Sequence, residues 1–182
     1  MASKTTAAHK KKSPKSVKTA VVTISDSKHR YHWIGGKGVE TKDLSGNRII
    51  TGLRENGHEV VFYCIIPDHA GLILETVDHI ASTYSPDVII TTGGTGIGPR
   101  DVTIEAMESC FDKIVNGFGE LFRLESMKEV GKAAMISRAT AGIYNGVIVF
   151  CLPGSPNACE TGMNLILQEI GHLVKHLKEG LM

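Results

Sequence analysis

The fold is decided by residues 87–103, which read DVIITTGGTGIGPRDVT. The apolar, β-branched run predicts a buried strand, and the glycines after it predict a loop at the strand's carboxyl end. A backbone without side chains can approach a ligand closely, so the N–H groups between Gly93 and Gly98 can converge on an anion such as phosphate. The pattern is typical of a strand that delivers a binding loop.

The same loop carries hydroxyl, guanidinium and carboxylate groups. Hydroxyls donate hydrogen bonds, arginine binds phosphate through two parallel N–H groups, and Asp101 offers oxygen ligands to a hard cation. These groups suit Mg²⁺-nucleotide chemistry. The candidate substrate-binding residues here are Thr92, Gly93, Gly94, Thr95, Gly96, Arg100 and Thr103.

Two common phosphate motifs do not match this loop. It lacks the Gly-Lys-Ser/Thr ending of a P-loop, and Pro99 stands where the dinucleotide fingerprint has its third glycine. A tight glycine turn without a ligand is the alternative, and the Arg-Asp pair that follows argues against it.

Strand-like and helix-like segments alternate along the chain, which predicts an α/β fold. We expect a three-layer αβα sandwich with a mostly parallel central sheet. The predicted strands are 17–24, 58–66, 88–92 and 147–152; the predicted helices are 43–56, 70–83, 103–110, 116–127 and 157–178; residues 111–115 are predicted as a short extended piece, and residues 131–144 as helical in their first half.

The carboxyl ends of parallel strands meet at one edge of a sheet, where ligands bind in such folds. The ends of the other predicted strands carry Ser25 and Asp26, then Asp68, then Pro153, Gly154 and Ser155. Aspartate is also a common turn residue, and for Asp26 alone a turn or capping role is slightly favoured. For Asp68 and Asp101 a functional role is favoured.

Residues 28–42 show no regular period and are predicted to form a long loop. Tyr31 and Trp33 could close over a flat ring or cover a subunit interface, and both interpretations stay open. His29 and His32, like His172 and His176, have a metal-like spacing, but two ligands are weak evidence for a metal site. For the second pair, solvent-facing histidines are the favoured interpretation.

Composition bounds the remaining possibilities. The 182 residues are enough for one domain, residues 17–182, after a lysine-rich tail, residues 1–16, that we expect to be disordered. Six lysines lie in residues 1–18, which leaves 14 basic against 19 acidic residues elsewhere and argues against nucleic-acid binding as the main function.

The absence of a long apolar run or an apolar signal region predicts a soluble, cytoplasmic protein without a membrane span. The four cysteines form no Cys-x-x-Cys pair and are interpreted as core thiols.

Three segments together resemble the signature of the MogA/MoaB family of molybdenum cofactor biosynthesis, which is related to gephyrin G domains. They are TTGGTG at 91–96, PRDVT at 99–103 and PGSP at 153–156, and the resemblance extends from Val17 to the last helix. Residues 117–120 and 137–142 are most similar to the MoaB branch. Some members of that branch lack the aspartate signature and the activity, but this chain retains PRDVT and is placed with the active members.

The resemblance implies a reaction, a metal and partners. Family members transfer AMP from Mg-ATP to molybdopterin, giving adenylyl-molybdopterin and pyrophosphate. By this resemblance Asp68 and Asp101 are the catalytic residues and Mg²⁺ ligands, and Gly154 and Ser155 hold the pterin or its phosphate. It further implies a homotrimer or homohexamer that works with a MoeA-type molybdate insertase, in a molybdenum or a tungsten pathway.

Two alternatives to this activity remain. One is a non-catalytic molybdopterin-binding or scaffold protein, which would bind the pterin without AMP transfer. The other is a CinA-like pyrophosphatase, which would hydrolyse ADP-ribose without molybdopterin.

Overall fold

The computed structural model describes residues 13–33 and 43–179, with the side chains of residues 31–33 left out. The predicted tail therefore lies largely outside the described residues, as do the proposed roles of the Tyr31 and Trp33 side chains and the remainder of the predicted loop. Ser13 and Pro14 are described, and they lie against Gly171 near the end of the chain.

The described residues form one six-stranded sheet. Its strands are β1 (Lys18–Ile24), β2 (Glu59–Ile66), β3 (Val88–Thr92), β4 (Lys113–Ile114), β5 (Thr140–Tyr144) and β6 (Val147–Leu152). The spatial order is β2-β1-β3-β6-β5-β4. The first four strands of that order are parallel, and β5 runs antiparallel to both of its neighbours. The mostly parallel sheet that the sequence predicts is confirmed.

Helices cover both faces of this sheet. They are α1 (Asp26–Trp33), α2 (Leu44–Glu55), α3 (Ala70–Tyr84), α4 (Thr103–Glu108), α5 (Asn116–Val130) and α6 (Pro156–Glu179), with a 3-10 helix at Gly131–Ile136. One core lies between the sheet and α2, α5 and α6, and a second lies between the sheet and α3 and α4. This arrangement is the expected αβα sandwich.

The central strands are buried on both faces, and their side chains alternate between the two cores. On β1, Val21 enters the core under α2 and α6, while Val22 enters the core under α3. On β3, Ile90 and Ile89 divide in the same way. Both cores therefore position the carboxyl end of β3 between the strands on either side of it.

Two predicted segments differ from the structure. Residues 26–33 form helix α1, although a loop was predicted from residue 28 onward. The helix is polar, so its sequence shows no apolar period. Asp26 in its first turn stabilises the start of the helix. Residues 140–144, for which no strand was predicted, form strand β5. The turn Asn145-Gly146, with φ values of 47° and 75°, folds β5 back onto β6 as a hairpin.

Some predicted core positions are exposed. Leu44 and Leu72 have the spacing of buried helix residues, yet they are 59% and 41% exposed. Each lies in the first turn of its helix, beyond the edge of the core. Among the cysteines, Cys151 and Cys159 are buried as predicted, whereas Cys64 and Cys110 are only partly buried; all four are free thiols.

In the described part of the chain, no helix combines the length and apolar character that crossing a membrane requires.

Candidate functional site

The carboxyl ends of β1, β2, β3 and β6 surround a cleft of about 570 Å³. Its lining brings together four segments that are distant in sequence, as predicted. From the predicted set it contains Ser25, Asp68, Thr92, Gly93, Gly94, Thr95, Gly96, Asp101, Pro153, Gly154 and Ser155.

The loop after β3 needs glycine at its first two positions. Gly93 and Gly94 have φ values of 108° and 62°, a region that favours glycine. A Cβ at Gly93 would lie 2.1 Å from the Ile24 carbonyl oxygen, and a Cβ at Gly94 would lie 2.4 Å from Thr103 Oγ1. Only a bare backbone can therefore take this path between β1 and α4.

Part of the loop's hydrogen-bonding capacity is used internally. Gly93 N–H donates to the Leu152 carbonyl at 3.0 Å, and Gly98 N–H donates to Asp101 Oδ2 at 3.0 Å. The candidate anion donors are therefore the amides between these two residues, from Gly94 to Ile97.

Two of the predicted binding threonines also hold the loop in position. Thr103 Oγ1 donates to the Gly93 carbonyl at 2.9 Å and Thr103 N–H donates to the Gly94 carbonyl at 2.9 Å. Thr92 Oγ1 donates to the Pro153 carbonyl at 2.8 Å, which joins the glycine loop to the turn after β6. Both hydroxyls act as supports of the cleft.

Asp26, Asp68 and Arg100 form a connected charged group at its rim. Asp26 N–H donates to Asp68 Oδ2 at 2.8 Å, Asp68 N–H donates to Asp26 Oδ1 at 3.1 Å, and Arg100 Nη2 lies 2.9 Å from Asp26 Oδ2. Asp26 thus links the ends of β1 and β2, which is more than the capping role favoured from sequence. Arg100 lies outside the cleft lining and its side chain is 72% exposed.

The pKa of Asp68 is raised above its ordinary value. Burial is the largest cause, and the nearby carboxylates of Asp26 and Asp101 add to it, while the Asp26 N–H and the Arg100 guanidinium act in the opposite direction. Carboxylates that repel one another in a partly buried cleft stabilise a bound cation.

Asp68 and Asp101 both face the glycine loop. A Cβ at Gly94 would lie 2.8 Å from Asp68 Oδ1, and a Cβ at Gly96 would lie 2.7 Å from Asp101 Oδ2. Two carboxylates beside the glycine loop could hold Mg²⁺, which usually takes one or two protein carboxylates and completes its shell with water and phosphate oxygens.

The His32 side chain lies outside the described residues, so the pair His29 and His32 stays a prediction from the sequence. Among the side chains that the structure describes, no group of three or more His, Cys, Asp or Glu is arranged to hold a metal. The Nε2 atoms of His172 and His176 lie 2.9 Å apart. Both are on α6, away from the cleft.

The turn after β6 packs directly on the glycine loop. A Cβ at Gly154 would lie 3.2 Å from Gly93 Cα, and the Gly154 carbonyl accepts a hydrogen bond from Ser45 Oγ at 2.7 Å. Ser155 caps α6, with its Oγ accepting from Ala158 N–H at 3.3 Å. Gly154 and Ser155 remain exposed, so this wall of the cleft is accessible to a ligand.

Sequence reasoning missed two cations of the cleft. Arg138 donates from Nη1 to the Gly96 carbonyl at 3.2 Å, and Lys28 Nζ lies 2.8 Å from Asp43 Oδ1. Arg138 follows the 3-10 helix, and nothing in its local sequence separates it from a surface arginine. The segment Asp43-Leu44-Ser45-Gly46 did carry a signal, because an acid directly before a helix is a typical N-cap.

Residues 20–172 match the family model described as "Probable molybdopterin binding domain". This chain belongs to that family. It is 46% identical to the molybdopterin adenylyltransferase of Pyrococcus furiosus over 94% of this chain and 97% of that protein. It is also 42% identical to molybdenum cofactor biosynthesis protein B of Bacillus cereus, over 93% of this chain and 95% of that protein.

Solved structures of the family have the same fold. The tungsten cofactor synthesizing protein MoaB from Pyrococcus furiosus superposes with a TM-score of 0.80 at 43% identity, covering 90% of this chain and 98% of that one. The protein CinA from Thermoplasma acidophilum is a more distant neighbour, with a TM-score of 0.56 at 18% identity, and that likeness concerns the fold alone. The resemblance to the MogA/MoaB family is confirmed, and its MoaB members are among the similar proteins.

Proposed function

We propose that this chain is a molybdopterin adenylyltransferase that uses Mg-ATP in molybdenum cofactor biosynthesis. The observation that carries the proposal is the convergence of Asp68 and Asp101 on the glycine loop in one cleft. The identity to the Pyrococcus furiosus adenylyltransferase over nearly the whole chain supports the same reaction.

The reaction needs little proton chemistry from the protein. An oxygen of the terminal phosphate of molybdopterin attacks the α-phosphorus of ATP, a new P–O bond forms, and the bond to the β-phosphate oxygen breaks to release pyrophosphate. The attacking phosphate is already anionic near neutral pH. Catalysis therefore depends on positioning and on neutralising charge.

The protein groups divide between these two tasks. The amides from Gly94 to Gly96 would hold ATP phosphate oxygens, while Asp68 and Asp101 would hold Mg²⁺. When bound, Mg²⁺ supplies positive charge to the phosphates. Arg100, whose Nη2 lies 2.9 Å from Asp26 Oδ2 at the rim, would offset negative charge on the leaving pyrophosphate.

Molybdopterin, the second substrate, is assigned to the side of the glycine loop that packs on the turn after β6. Pro153, Gly154 and Ser155 form an accessible turn that touches Gly93, so a pterin held there would lie next to the nucleotide phosphates. Ser25 also lines the cleft at the end of β1 and can donate to either substrate.

A direct assay tests the function. The purified protein is mixed with molybdopterin and Mg-ATP, and pyrophosphate is followed together with adenylyl-molybdopterin. One pyrophosphate for each adenylylated pterin is expected. Binding of molybdopterin without pyrophosphate release would favour the scaffold alternative, and hydrolysis of ADP-ribose without molybdopterin would favour the CinA-like alternative.

We infer in addition that the chain associates with copies of itself, as a homotrimer or homohexamer. Helix α5 and the 3-10 helix after it present an exposed apolar strip, which consists of Leu121, Leu124, Met127, Val130, Met135 and Ile136, each 52% exposed or more. A concentration of exposed apolar side chains on neighbouring elements is typical of interaction sites. The product would then pass to a MoeA-type molybdate insertase, in the cytoplasm.

A further inference from the structure

Lys28 places a positive charge in the cleft that none of the steps above uses. It is the third residue of α1, it lines the cleft, and its side chain is 21% exposed. We propose that Lys28 binds the terminal phosphate of molybdopterin and that Asp43 holds it in position. The proposal rests on the adenylyltransferase function and deepens it, since it assigns one substrate to one wall of the cleft.

Asp43 is a rigid support for this ammonium group. Its side chain is 4% exposed, and its Oδ1 accepts from Lys28 Nζ at 2.8 Å and from Gly46 N–H at 3.1 Å. Its Oδ2 accepts from Tyr63 OH at 2.6 Å and from Thr23 Oγ1 at 2.5 Å. A carboxylate has about four acceptor positions, so this one is fully satisfied and cannot turn away from Lys28.

The charge state of the pair follows from these contacts. Burial acts to raise the pKa of Asp43, but the hydrogen bonds from Lys28, Thr23, Tyr63 and Gly46 outweigh it, and the pKa lies below its ordinary value. Asp43 is therefore ionised at neutral pH, behind the cleft wall, and the lysine presents the positive end of the pair to the cleft.

Lys28 keeps donors for a ligand. An ammonium group has three N–H donors, and among the residues that the structure describes Asp43 is its only side-chain hydrogen-bond acceptor. Arg138, the other cation of the cleft lining, is held on the glycine loop by the Gly96 carbonyl and the Glu105 carboxylate. Lys28 keeps two N–H donors for a phosphate.

The position of Lys28 indicates which phosphate it binds. Asp43 and Ser45 belong to the same helix start, and Ser45 Oγ donates to the Gly154 carbonyl at 2.7 Å. One short segment therefore supports both Lys28 and the turn assigned to molybdopterin. Asp68 and Asp101 instead lie against the glycine loop, to which the proposed mechanism assigns the ATP phosphates.

The competing explanation is that Lys28 only neutralises a buried carboxylate. Asp43 already receives three hydrogen bonds from uncharged donors, which by themselves favour its ionised form. A stabilising ion pair and a substrate ligand make different predictions for substrate binding, so they can be separated by experiment.

The test compares Lys28→Met and Lys28→Arg with the parent chain. Equilibrium dissociation constants for molybdopterin and for Mg-ATP are measured separately, and kcat and KM are taken from pyrophosphate release. Lys178→Met is the matched control, because Lys178 also forms an ion pair, with Asp87 at 2.5 Å, on the exposed side of α6. Thermal unfolding is recorded for each variant.

For Lys28→Met we expect the Kd and KM for molybdopterin to rise about tenfold or more, since a hydrogen bond to a charged group is lost. The Kd for Mg-ATP should stay unchanged, Lys28→Arg should recover part of the loss, and Lys178→Met should match the parent. The value of kcat should stay unchanged, because Lys28 is proposed to make this contact equally in the ground state and the transition state.

Unchanged molybdopterin binding in Lys28→Met would overturn the proposal, and so would a loss confined to Mg-ATP. If Lys28→Met unfolds, the double variant Lys28→Met with Asp43→Asn removes both charges and is measured in the same way. A parent chain that binds molybdopterin but transfers no AMP would refute the adenylyltransferase function instead, and the binding measurements would still test Lys28.

Discussion

Asp26 and Asp68 bind each other's backbone in a reciprocal pair, with distances of 2.8 Å from Asp26 N to Asp68 Oδ2 and 3.1 Å from Asp68 N to Asp26 Oδ1. The pair joins the end of β1 to the end of β2. Because Oδ2 of Asp68 is held by this bond, Oδ1 is left facing Gly94 and the space above the glycine loop. The proposed mechanism depends on this orientation.

Asp68→Asn and Asp101→Asn should each reduce AMP transfer about a hundredfold, because each removes a negative charge that holds Mg²⁺ at the phosphates. Asparagine keeps the side-chain shape, so folding and molybdopterin binding should persist. Turnover and kcat/KM are measured from pyrophosphate release, with Asp78→Asn on the exposed side of α3 as the control. Parent-like AMP transfer in both variants would contradict the assigned roles.

Gly94→Ala should impair both stability and turnover. The new Cβ would meet Thr103 Oγ1 at 2.4 Å and Asp68 Oδ1 at 2.8 Å, in a backbone with φ of 62°. Gly57→Ala is the control that separates backbone strain from a steric clash. Gly57 has φ of 79°, but a Cβ added there would have nothing within 4 Å. We expect Gly57→Ala to cost about 1 kcal/mol of unfolding free energy with turnover intact. Gly94→Ala should cost more and lower kcat at least tenfold; equal behaviour of the two variants would argue against a tightly packed loop.

Asp43→Asn should remove a pH-dependent part of the stability. The pKa of Asp43 is lowered in the folded state, so its contribution is fully present above the ordinary aspartate pKa and is lost as the pH falls through the lowered value. At pH 7 we expect a loss of about 3 kcal/mol, since the change leaves Lys28 without its buried partner. Urea unfolding of both chains from pH 7 down to pH 3 measures the difference, which should shrink at the acidic end. A difference independent of pH would contradict the ionised state of Asp43.

Leu124→Glu should disrupt self-association, because it places a charge in the apolar strip of α5, where Leu124 is 54% exposed. Sedimentation velocity at micromolar concentration should show a smaller species than the parent. Leu72→Glu is the control, since Leu72 is 41% exposed on α3, on the opposite face of the sheet. A parent chain that sediments as a monomer would refute the inferred oligomer.

Three features could be predicted from the sequence: the β3 strand, the glycine loop after it, and the meeting of Asp68 and Asp101 at one edge of the sheet. These features are encoded locally, because apolar runs, glycines and charged residues after strands have the same meaning in any parallel sheet. The bounds of β3, Val88–Thr92, were predicted to the residue.

The contacts between segments that are distant in the chain could not be predicted, because they depend on how the whole chain packs. Asp26 meets Asp68 across 42 residues, and Ser45 meets Gly154 across 109, and neither pairing has a local signature. Helix α1 was missed because its polar sequence has no apolar period, and Lys28 was missed with it. Strand β5 depends on pairing with β6, which its own five residues do not specify. The local sequence thus predicts where the cleft lies. The role of each side chain in the cleft depends on long-range packing, which orients some side chains toward a ligand and uses others to support them.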